Sequence, residues 1–113
     1  MKAKHELLKG SSNSLLLSLL AEEPMYGYKI VKELEDRSQG YFKFKEGTLY
    51  PALHRLEKSG LIEGTWRTLS NGRQRRYYHI TDKGSAQLAQ EKHQFETFFT
   101  AVRMVLKPGT SAT

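Results

Sequence analysis

Three segments of helical hydrophobic period, two β-like segments split by Asn-Gly, and a closing apolar run near a 3.5-residue repeat together predict one fold class. It is mainly α with a small β-hairpin (α+β): a winged helix-turn-helix followed by a long C-terminal helix. Each element follows from its own residues.

Residues 1–10 read as a basic N-terminal arm (Lys2, Lys4, Lys9), mobile or partly helical. The stretch "SSNS" (11–14) offers N-cap side chains for a first helix, in which Leu15, Leu16, Leu19 and Leu20 keep a helical period. Pro24 stops it. After the turn "EEPMYG", a second helix runs from Tyr28 to about Arg37 with Ile30, Val31 and Leu34 on one face. "SQGYFKF" (38–44) is a glycine-containing, aromatic connection.

The third helix holds "GTLYPALHRLEKSG" (47–60). Leu49, Leu53 and Leu56 fall at i, i+4 and i+7 and form one apolar stripe. The other side collects Gly47, Pro51, His54 and Lys58, flanked by Tyr50 and Arg55. Proline has no N–H to give, so Pro51 is expected in the first turn, with the helix starting near Gly47 or Thr48, give or take a residue or two. Gly60 ends it. From Leu61 the period changes. "LIEGTWRTL" and "RQRRYYHI" are rich in aromatic and β-branched residues, and "SNG" (70–72) between them is a hairpin signal. Thr81 or Asp82 then caps a helix reaching about Lys107, and 108–113 is expected as a frayed, disordered tail. The expected organisation is an arm over 1–10, a winged helix-turn-helix over 11–84 and a dimerisation helix over 85–107.

Composition narrows the function. The 113 residues suffice for one domain, and 38% hydrophobic content is low for a self-sufficient core, which suits burial against a second copy. With no cysteine there are no disulfides or zinc–thiolate sites. No apolar run approaches the roughly 20 residues of a membrane span, so the expected location is the cytoplasm, away from any membrane. The histidines (His5, His54, His79, His93) are scattered, and no serine elbow or glycine-rich phosphate loop occurs. Neither an enzyme nor a cofactor is expected.

The formal charge is +6, and its placement is informative. Between Gly64 and Ile80 stand Arg67, Arg73, Arg75, Arg76 and His79 without one Asp or Glu. Strand alternation puts Arg73, Arg75 and Tyr77 on one face and Arg76, Tyr78 and Ile80 on the other. A hairpin tip of arginines suits phosphate or a minor groove, against the plainer alternative of arginine stems covering Trp66 or the tyrosines. Tyr50, His54 and Arg55 of the third helix are placed to reach base edges or phosphates of double-stranded DNA. On the last helix Leu88, Phe95, Phe99, Val102 and Leu106, with Phe98 and Val105 alongside, make a stripe longer than a small domain covers, which suggests self-pairing. Phe95, Phe98 and Phe99 either pack a dimer seam or line a pocket for a planar ligand.

"PMYGYKIVKELE" (24–35), "GTLYPALHRLEKSGLIEG" (47–64) and "NGRQRRYYHITDKG" (71–84) closely resemble the PadR-like transcriptional regulators of bacteria. The resemblance implies a homodimeric winged-helix repressor that binds a two-fold-symmetric operator and often answers to a small molecule. One helix after the wing is similar to the compact subfamily, which includes multidrug-responsive members. It implies DNA contacts at Thr48, Tyr50, Pro51 and Arg55, joined by Tyr28 and by Arg73 and Arg75 of the wing. Where drug-responsive relatives stack a last-helix tryptophan on planar effectors, this chain has Phe95, with Phe99 beside it; Val102 and Leu106 would continue the dimer contact. Two other readings of the same residues are a protein-interaction adaptor and a small-molecule-binding protein on this scaffold.

Overall fold

Helices α1 (Lys2–Leu20), α2 (Gly27–Arg37) and α3 (Glu46–Lys58) precede the hairpin of β2 (Ile62–Thr68) and β3 (Gln74–Ile80), and α4 (Asp82–Leu106) closes the chain. A two-residue strand, β1 (Met25–Tyr26), lies between α1 and α2. The computed structural model describes the backbone of residues 2–107 and the side chains of residues 11–107. The basic side chains expected of the arm, and the tail at 108–113, lie outside the described residues.

The sheet is antiparallel in the order β1-β3-β2, so the wing is a three-stranded sheet at its base and a two-stranded ribbon at its tip. The "EEPMYG" turn is thus partly a strand: Met25 pairs with Tyr78 and Tyr26 with Tyr77. A stretch that short has no period to read, and it is extended only because β3 offers an edge.

The core forms where the apolar faces of the three helices meet the sheet. Leu16, Leu17, Ile30, Leu49, Leu53 and Ile62 are each at most 1% exposed. Leu17 falls outside the expected period of the first helix, yet α1 is covered by α2, α3, β3 and α4, so more than one of its faces is buried. Phe44 of the aromatic connection is also buried.

The start of α1 and the position of Pro51 in α3 differ from expectation. "SSNS" does not cap α1, because the helix continues through it from Lys2. The preceding residues are helix-compatible, and the Ser14 hydroxyl donates to Glu91 Oε1 of α4 instead of to its own backbone. Helix α3 begins at Glu46, with Leu49 N–H donating to Lys45 O at 2.8 Å, so Pro51 falls in the second turn, not the first. The carbonyl of Gly47, four residues earlier, therefore has no N–H to accept from Pro51.

The wing's turn is a three-residue loop. Gly72 N–H donates to Leu69 O at 2.9 Å and Leu69 N–H to Arg73 O at 2.7 Å. Gly72 has φ +87°, a left-handed conformation that closes the loop with a bulge and disfavours side chains. Asn71 Oδ1 accepts from Arg73 N–H at 3.0 Å and steadies it. Thr81 then caps α4, accepting from Gly84 N–H at 3.0 Å while donating to Gly60 O at 2.7 Å. That second bond ties the end of the wing to the end of α3.

Helix α4 starts inside the domain. Leu88, expected on the dimer stripe, is only 7% exposed and belongs to the core of its own chain. The stripe was extended one step too far toward the N-terminus, because α1 already covers that part of α4.

Candidate nucleic-acid interface

Helix α3 is held by Leu49, Ala52, Leu53 and Leu56, all buried at 1% exposure. Because that stripe is fixed in the core, the opposite face is presented outward: Thr48, Tyr50, Pro51, His54 and Arg55 are all exposed. Neither His54 nor Arg55 has an ion pair among the described residues. Gly47, also exposed, adds no side chain to the first turn between Glu46 and Thr48.

The wing lies beside this face, and its register decides what it offers. Ile62 pairs with Ile80, Gly64 with Tyr78 and Trp66 with Arg76. Their shared face joins the core at Ile62 and Tyr78 and leaves it toward the tip, where Trp66 is 61% exposed. On the other face Glu63 pairs with His79, Thr65 with Tyr77 and Arg67 with Arg75. Like charges at directly paired positions are unfavourable and raise the local positive potential. Neither arginine has a carboxylate partner among the described residues. Arg67 lies 4.0 Å over the Tyr77 ring and Arg75 3.9 Å over the Tyr26 ring, so each is stacked by its flat face. Stacking of this kind orders the side chain while leaving N–H edges available to an anion. The plainer alternative is therefore realised in part: these stems do cover tyrosines, without losing their charge.

Arg76 is different. Its Nη2 donates to Glu57 Oε2 at 2.6 Å, so the charge is neutralised by a carboxylate from α3. His79 Nε2 likewise lies 3.1 Å from Glu63 Oε1. The acid missing from 64–80 is thus supplied from outside that stretch, but only to these two groups. Arg73, at the exposed tip, has no ion pair among the described residues.

Between α2, α3 and the wing runs a groove of about 630 Å³ lined by Tyr28, Tyr50, Trp66, Arg75 and Arg76 among others. It brings together three sequence-expected positions from three elements, Tyr28, Tyr50 and Arg75, while Arg73 lies farther along the same ribbon, outside the groove. Burial raises the pKa of the Tyr78 phenol at its floor, which keeps that hydroxyl neutral. Glu57 has no signal in the sequence, and Arg67 and Trp66, though part of the basic aromatic run, owe their places in the site to cross-strand contacts.

The second surface is the C-terminal half of α4. Phe98, Phe99 and Leu106 are 61%, 46% and 75% exposed, whereas Phe95 and Val102 are half-buried. Phe95 and Phe99 stack at 5.5 Å between ring centres. Phe95 and Phe98 line a hollow of about 320 Å³ with Asn13, Ser14, Glu91 and Gln94; Phe99 lies outside it.

A three-helix head, a three-stranded wing and an acid-poor face shared by both define a winged-helix protein of the kind that engages nucleic acid. The chain matches the transcriptional regulator PadR-like family over residues 16–90 and belongs to that family. It is 36% identical over 81 residues to a transcriptional regulator of Mycobacterium tuberculosis, covering 72% of this chain and 72% of that one. Among solved structures it resembles a PadR-like transcriptional regulator from Bacillus cereus, with 38% identity, a TM-score of 0.82, and coverage of 91% and 98% of the two chains. A transcriptional regulator from Clostridium thermocellum superposes with a TM-score of 0.81 at 31% identity, covering 90% of this chain and 99% of that one. No described helix is long and apolar enough to cross a membrane.

Proposed function

We propose that the chain is a cytoplasmic repressor that binds an inverted-repeat operator as a homodimer. Helix α3 enters the major groove, with Tyr50, His54 and Arg55 reading base edges and Thr48 and Pro51 against the backbone. Tyr28 and Arg67, Arg73 and Arg75 of the wing hold the flanking phosphates. The observation that carries this reading is the cross-strand pair Arg67–Arg75, stacked on tyrosines and left without a carboxylate among the described residues. Cations held in order on aromatic rings and left without a carboxylate are available to a polyanion. The C-terminal half of α4, through Phe95, Phe98, Phe99, Val102 and Leu106, pairs with a second copy and sets the two heads about one DNA turn apart, ~34 Å.

Selection of bound fragments from a random DNA pool tests this. An inverted repeat with half-site centres about 10 base pairs apart is expected; recovery of no common sequence, or of a single unrepeated site, would overturn it. The hollow beside Phe95 supports a second element: a small planar aromatic effector that changes the crossing of the paired α4 helices and so the fit to the operator. A ligand of this class is expected to raise the melting temperature and alter operator affinity together. Aromatic compounds that change neither would remove the effector from the account.

A further inference from the structure

Helix α3 and the strands of the wing share a polar junction at Glu57. Glu57, in the last turns of α3, accepts two hydrogen bonds through one oxygen, Oε2: from Arg76 Nη2 at 2.6 Å and from the Gly64 backbone N–H at 3.2 Å. Gly64 and Arg76 lie on the same face of neighbouring strands, so the carboxylate holds both strands of the ribbon at once. The guanidinium lies flat across Gly64. A Cβ there would come within 2.5 Å of Arg76 Nε, and only glycine leaves the arginine room to reach α3. Both side chains are about 30% exposed, and the Arg76 guanidinium sits 5.4 Å from the Trp66 ring.

We propose that Glu57, Arg76 and Gly64 form a clamp that fixes the angle between recognition helix and wing, with Arg76 a positioning residue whose charge is withheld from DNA. The reading rests on the DNA-binding function above and deepens it. A wing tethered only through its turn and its base would settle on whatever phosphates lie nearest. A wing held at a set angle accepts only duplexes whose backbone passes where both elements reach. The clamp therefore gives up one cationic contact and gains discrimination between sequences, because a freed arginine would strengthen binding to every duplex alike.

The test is a salt series of binding titrations on the selected operator and on a mixed-sequence duplex. Arg75→Ala, which removes a phosphate contact, is expected to lower the salt slope by ~0.9 per head. Arg76→Ala is expected to weaken operator binding several-fold with the slope unchanged. Glu57→Ala releases the arginine, so the slope should steepen by up to ~0.9 per head, mixed-sequence binding should tighten and the preference for the operator should narrow. Gly64→Ala, which displaces the guanidinium without removing any charged group, is expected to behave as Glu57→Ala does. A drop in slope with Arg76→Ala equal to that of Arg75→Ala would overturn the proposal, as would an unchanged preference in both Glu57→Ala and Gly64→Ala. If the wild-type chain binds neither duplex, the DNA-binding reading falls, and the clamp is judged without DNA. Trp66 is the sole tryptophan, and its fluorescence anisotropy should drop in Glu57→Ala and Gly64→Ala as the wing loosens; unchanged values in both would sink the clamp.

Discussion

At the scale of single residues, the exposed face of α3 separates contacts that read from contacts that hold. His54 is exposed, lacks an ion pair among the described residues, and sits one turn beyond Tyr50 on the side opposite the buried leucines. His54→Ala is expected to weaken binding to the selected operator by about tenfold, as loss of one base contact worth ~1–3 kcal/mol would. Mixed-sequence binding and the salt slope should be unchanged; equal loss on both duplexes would make His54 a backbone contact. These α3 positions were legible in the sequence because a leucine stripe at i, i+4 and i+7 says which face is not free. The arginines were only half legible. Counting charge between Gly64 and Ile80 found the positive run, but Glu57 and Glu63 lie outside that window; Glu57 neutralises Arg76, and Glu63 lies against His79. A charge count along the chain does not see partners that folding brings in.

At the scale of elements, the wing shows how one residue of loop length alters a surface. Asn71-Gly72 as a two-residue turn would set Trp66 opposite Tyr77; the three-residue loop sets it opposite Arg76. A slip of one residue moves side chains to the other face of a strand, so the register had to come from the loop's hydrogen bonds, which residue types alone do not give. Helix α2 is tied to the end of α1 by Arg37. It donates through Nη1 and Nη2 to Glu22 at 2.6 and 2.7 Å and through Nε to Glu33 at 2.8 Å. The hydrogen bond and charge of Arg37 hold the Glu22 carboxyl below its ordinary value of 4.5. A carboxyl depressed on folding stabilises the fold at pH values above its unfolded pKa and loses that contribution as pH falls through the depressed folded value. The melting-temperature difference between wild type and Arg37→Gln is therefore expected to be constant from neutral pH down to about 5, then to shrink below 4.5. A difference that does not depend on pH would mean that Arg37 acts through packing alone.

At the scale of the whole molecule, the chain measures 66 × 29 × 23 Å, elongated by a 25-residue α4 of which the N-terminal turns are packed and the C-terminal turns are bare. The sequence made the length and apolar stripe of this helix plain, yet not where the domain stops covering it; Leu88 is on the covered side and Phe98 on the open one. Because Phe98 and Leu106 touch little of their own domain, Phe98→Glu with Leu106→Glu should leave the melting transition of the head nearly intact while giving a monomer in sedimentation. Such a monomer is expected to lose its preference for the repeated operator over a single half-site. A dimer that survives both changes would place self-association elsewhere.

The most direct measurement is the salt dependence of operator affinity for the wild-type chain against a variant with Arg67, Arg73 and Arg75 all replaced by alanine. We expect a steep decline of affinity with salt in the wild type, and a slope shallower by ~2.7 per head in the variant, with the melting temperature little changed. Identical slopes in the two proteins would mean that the ribbon of arginines never meets DNA.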